Sequence, residues 1–205
     1  MTLIQEEYRA ILHQVEQDVQ HPYLAAHLGQ PPIPKEFIRL VHLFLCSQSL
    51  SAERRRVWTV ATACLHMGLM VHETITHDSP TDDLQKFQKQ QLAILTGDLY
   101  SSLFYRILGE SEEANVIQQL ASVTSLIQEE KMRSYLGKGL LITEQWVSEQ
   151  LCLGIFTLFG AEANEKWKQV FSLFCSKQAD RWDLIQDSDW LPSEILAEFR
   201  HFDEV

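Results

Sequence analysis

Leu84-Gln-Lys-Phe-Gln-Lys-Gln-Gln-Leu92-Ala-Ile-Leu-Thr-Gly97-Asp-Leu-Tyr100-Ser-Ser-Leu-Phe104-Tyr-Arg-Ile-Leu108 is the stretch on which the fold turns. It contains no proline, and its apolar residues follow a helical period rather than the two-residue alternation of a strand. At about 100° per residue, Leu92, Ala93, Leu95, Leu99, Tyr100, Leu103, Phe104, Ile107 and Leu108 cover roughly 220° of the circumference. A surface helix over one core needs a stripe of only about 100° or somewhat more. The excess predicts a second burial surface, either the bundle's own core or another chain. Tyr100, Leu103 and Phe104 are the expected anchors of a partner interface, since aromatic side chains commonly anchor interfaces. Gly109 is the expected stop of this helix.

Outward from it, nearly every segment carries the same period. Thr2 with Gln5 forms a capping-box pattern ahead of Ile4, Tyr8, Ile11, Leu12, Val15 and Val19. Gly29 and Pro31, Pro32 and Pro34 exclude a continuous helix. A second helix is expected from Lys35 to Ser49. Ser51 caps a third that runs through Val57, Cys64 and Leu69 to a turn at His77-Asp78-Ser79-Pro80. Ser111 with two glutamates opens a fifth, ended by Gly137 and Gly139. Further helices are expected over Thr143–Gly160, Asn164–Gln186 and Ser193–Phe202. There is no repeat, low-complexity tract or separating linker. The reading is all-α: one helical-bundle domain over residues 1–205 with long central helices.

Composition narrows the function. A net charge of −11 argues against a nucleic-acid partner, because binding phosphates needs a basic face. Arg54-Arg55-Arg56 reads as a solvated helix face. The first residues are polar and acidic, unlike a signal peptide, and Leu151–Gly160 is about half of what a spanning helix needs. A cytoplasmic protein with no transmembrane segment is expected. Cys46, Cys64, Cys152 and Cys175 lie singly among apolar neighbours, as reduced buried thiols do.

The candidate chemical motifs each have a plainer reading. His72-Glu73-Thr74-Ile75-Thr76-His77 resembles a zincin helix, but the second histidine comes one residue late. A five-residue step sets the rings roughly 140° apart, so they cannot share a metal from one helix. Gly137-Lys138-Gly139 lacks the rest of a phosphate loop and reads as a helix stop. Asp82-Asp83 suits a helix N-terminus. Asp180, Asp183, Asp187 and Asp189 read as a solvated acidic turn.

Two stretches point to a family. Leu92-Ala93-Ile94-Leu95-Thr96-Gly97-Asp98-Leu99-Tyr100 is similar to the A-I-L-A-G-D-Y segment of trans-prenyltransferases. Leu65-His66-Met67-Gly68-Leu69-Met70-Val71-His72-Glu73-Thr74 resembles the helix that carries their first aspartate-rich motif, L-H-x-x-S-L-x-H-D-D-x-x-D. The variant Thr96–Tyr105 closely resembles G-D-Y-Y-S-x-L-Y-Y of component 1 of heptaprenyl diphosphate synthases.

The resemblance implies a shortened trans-prenyltransferase fold without that fold's final helices. It also implies lost chemistry. Catalytic members hold magnesium between two aspartate-rich motifs to neutralise a departing diphosphate. The acids aligned with the first motif here become Glu73, Thr74 and His77. The second falls near Gln186-Asp187-Ser188-Asp189-Trp190, with its outer acids gone. The basic segment that grips the second diphosphate becomes Gln30–Lys35, and the arginine pair is missing from Pro80–Lys89. Electrostatic stabilisation needs these charges together.

The expectation is therefore a non-catalytic small subunit, with no metal or cofactor of its own. It would pair with a magnesium-bearing catalytic large subunit, extending an allylic diphosphate with isopentenyl units for a menaquinone side chain. By the same resemblance, Gly68 and Leu69 would line the product channel. The rival readings are a divergent autonomous prenyltransferase or terpene synthase, and a helical adaptor with no isoprenoid link.

Overall fold

The computed structural model describes residues 2–29, 31–75, 84–175 and 181–202. Ten α-helices and no strand occur among them, so the all-α reading holds. They are α1 (Leu3–Val19), α2 (Pro22–His27), α3 (Lys35–Cys46), α4 (Ala52–Glu73), α5 (Leu84–Glu110), α6 (Ala114–Tyr135), α7 (Glu144–Thr157), α8 (Ala161–Cys175), α9 (Arg181–Ile185) and α10 (Ser193–Arg200).

The caps explain most of the boundaries. Thr2 accepts from Gln5 N at 3.1 Å while Thr2 N donates to Gln5 Oε1 at 3.2 Å, closing the expected box. Ser51 Oγ accepts from Arg54 N, and Thr143 Oγ1 from Trp146 N. Gly137 takes φ +66°, and Lys138 N donates to Arg133 O at 3.0 Å beyond the end of α6.

The stop after α5 falls elsewhere than the sequence predicts. Gly109 lies inside α5, and Glu112 adopts the left-handed turn, φ 58°, with Glu113 N donating to Leu108 O. Glu113, rather than Ser111, then receives the first amides of α6, those of Val116 and Ile117. Of the expected Asn164–Gln186 helix, α8 starts earlier, at Ala161, and is described as far as Cys175, and α9 covers Arg181–Ile185; residues 176–180 lie outside the described residues. The expected turn at His77–Pro80 lies outside the described residues. Helix α2, with His21 as cap and Pro22 at its first position, has no counterpart in the sequence reading.

The helix buried all round is α4. Every residue from Trp58 to Leu69 is buried, which accounts for its weak amphipathic pattern. Within it, the buried Thr62 Oγ1 donates to Trp58 O at 2.7 Å.

The chain sorts into two compact units, Met1–Ile38 with Arg56–Ile117, and Arg39–Arg55 with Gln118–Val205. The division falls inside α3, α4 and α6 rather than at a linker. In the first unit, Tyr8, Ile11, Val15 and Val19 of α1 are buried, as are Cys64 of α4 and Tyr100, Phe104 and Leu108 of α5. Tyr100 Oη donates to Val19 O at 3.2 Å, satisfying a carbonyl at the end of α1.

The second unit is organised by aromatic rings. Phe44 packs on Phe156 at 4.3 Å and edge-on to Trp167 at 5.4 Å, and Phe174 meets Phe199 and Phe202 at 4.6 and 4.7 Å. Arg39 is buried there with Glu198, Nη2 to Oε2 3.6 Å. Its guanidinium also donates to the carbonyls of Glu198, His201 and Phe202 and lies over the Phe202 ring. One side chain thereby ties the C-terminal helix to α3.

Candidate functional site: the contact between α4 and α5

The two family-like stretches meet in the first unit. A Cβ added at Gly68 would lie 2.8 Å from Ser101 Oγ, 3.0 Å from Gly97 O and 3.2 Å from Ser101 N. Only a residue without a side chain allows the two helix backbones this close. One turn further along α4, the His72 ring covers Gly97, where an added Cβ would lie 2.5–2.8 Å from three ring atoms. His72 Nε2 is 3.5 Å from Asp98 Oδ1, and the pair is reached by solvent. The Gly97-Asp98 dipeptide thus does two jobs: the glycine admits the imidazole and the aspartate faces it.

The rest of the first-motif stretch is poor in metal ligands. Glu73 is exposed at the end of α4. Thr74 Oγ1 turns back to donate to Val71 O at 2.7 Å. His77 and Asp82-Asp83 lie outside the described residues. Among those described, no cluster of three or more His, Cys, Asp or Glu close enough to share an ion includes His72, Glu73 or Asp98. Among the described residues this contact presents the His72–Asp98 imidazole–carboxylate pair, with Glu73 exposed one residue beyond His72.

His66 belongs to the core: it stacks on Phe37 with centroids 4.3 Å apart, and burial lowers its pKa to about 4. A neutral imidazole at neutral pH follows. Burial, reinforced by Asp18 and opposed by Arg106, pushes the Cys64 thiol up to about 12, which leaves it a poor nucleophile. Near the second-motif position, Asp183, Asp187 and Asp189 are exposed in and after α9, while Asp180 lies outside the described residues.

Two further groups of predicted residues lie in the same unit. Gly68, expected to line a channel, faces the α5 backbone, and Leu69 beside it is buried. Tyr100, Leu103 and Phe104, the expected interface anchors, are buried at 1%, 6% and 0% exposure within the chain itself. The inward arc of α5 carries Ala93, Thr96, Gly97, Tyr100, Leu103, Phe104 and Leu108 and spans about 140°. The opposite arc presents Phe87, Ile94, Leu95, Leu99 and Tyr105 to solvent, Leu95 at 62% exposure. A usable signal was present in the sequence: small residues at 93, 96 and 97 mark the side on which another helix comes close.

A family profile described as heptaprenyl diphosphate synthase (HEPPP synthase) subunit 1 matches residues 21–154, more than half of the 205-residue chain. The chain belongs to this family. A relative from Geobacillus stearothermophilus, heptaprenyl diphosphate synthase component 1, is 42% identical over 69 residues, which is 34% of this chain and 31% of the relative. The aligned stretch is thus less than a third of that relative's length. No solved structure matches. No helix among the described residues is long and apolar enough to cross a membrane.

Proposed function

We propose that the chain is a non-catalytic subunit of a heterodimeric trans-polyprenyl diphosphate synthase of the heptaprenyl type. Its partner would be a large subunit that carries both aspartate-rich motifs and the magnesium. The pair would extend an allylic diphosphate with isopentenyl diphosphate, and the product would serve a menaquinone side chain. The observation that carries this reading is at the first-motif stretch. Glu73 is the carboxylate left there among the described residues, and the Thr74 hydroxyl is turned back onto Val71. A departing diphosphate needs several preorganised positive charges, and metals bring these only where several carboxylates converge.

The chain's contribution would then be a surface. The outward arc of α5 has five large apolar side chains exposed along one face, and this face is proposed to dock the large subunit. The isolated chain, incubated with farnesyl diphosphate, isopentenyl diphosphate and magnesium, is expected to form no long-chain product. Addition of the large subunit should produce it. Product from the chain alone would sink the non-catalytic reading.

A further inference from the structure

We draw no further inference here: the strongest candidate, the exposed apolar turn between α6 and α7 formed by Leu136, Leu140 and Leu141, supports no proposal, because nothing in the structure shows what covers it.

Discussion

The two compact units hold their helices together by opposite means. In the first, α4 and α5 approach until backbones nearly touch, which Gly68 and Gly97 permit, and the buried polar groups His66, Cys64 and Tyr100 lie in the same unit. In the second, bulky rings keep helices apart and fill the space between them, with one buried ion pair, Arg39–Glu198, among them. Close backbone approach dictates residue identity at each contact, whereas a ring cluster dictates mainly volume. The stretches that carry the family likeness, Leu65–Thr74 and Thr96–Tyr105, both lie in the first unit.

The comparison can be broken first in the second unit. Arg39→Ala would remove the guanidinium from beside the buried Glu198 carboxylate and its donations to three carbonyls. A loss of about 3–5 kcal/mol is expected. Urea denaturation should show the midpoint falling by the corresponding amount; a shift of a few tenths would mean that the rings alone secure α10.

The next effect belongs to the first unit and depends on pH. His66 is buried with its pKa lowered to about 4, below the ordinary 6.5. The unfolded chain takes up a proton between these values that the folded chain refuses. Stability from this residue is therefore complete above pH 6.5 and declines as pH falls toward 4, by at most roughly 3 kcal/mol. His66→Gln should flatten that acid limb relative to the unaltered chain, whatever it costs at pH 7. Parallel pH profiles would contradict the burial argument.

The smallest effects separate the two glycines. Gly68→Ala places a methyl group against the α5 backbone, with Gly97 O at 3.0 Å and Ser101 N at 3.2 Å, and should cost about 1–3 kcal/mol. Gly97→Ala meets only the His72 ring, which is partly exposed and can swing away. The gain of about 1 kcal/mol in helix propensity offsets much of the lost contact, so its melting temperature should barely move. Reversal of this order would mean that the His72–Asp98 pair matters more than the helix approach.

Much of this was legible in the sequence where local chemistry decides it. The Thr2, Ser51 and Thr143 caps and the Gly137 stop each follow from one or two residues and their neighbours. The stop after α5 was not, because Glu112 takes the left-handed conformation that Gly109 was free to take. The orientation of α5 was also hidden. An apolar arc of roughly 220° has no unique inward side, and the aromatic residues Tyr100 and Phe104 serve a core as well as an interface. Arg39 reads on sequence as one cation on an apolar helix, and its role depends on residues at the far end of the chain.

The outward arc of α5 is the most direct test of the proposed role. The chain carrying Leu95→Asp with Leu99→Asp would be coexpressed with an affinity-tagged large subunit of a heptaprenyl-type synthase. Both leucines are exposed, so the variant should keep its helical spectrum and melting temperature. The account predicts that the unaltered chain co-purifies and supports long-chain product, while the folded variant does neither. A folded variant that still co-purifies and supports full activity would place the docking face elsewhere and contradict the assignment of α5.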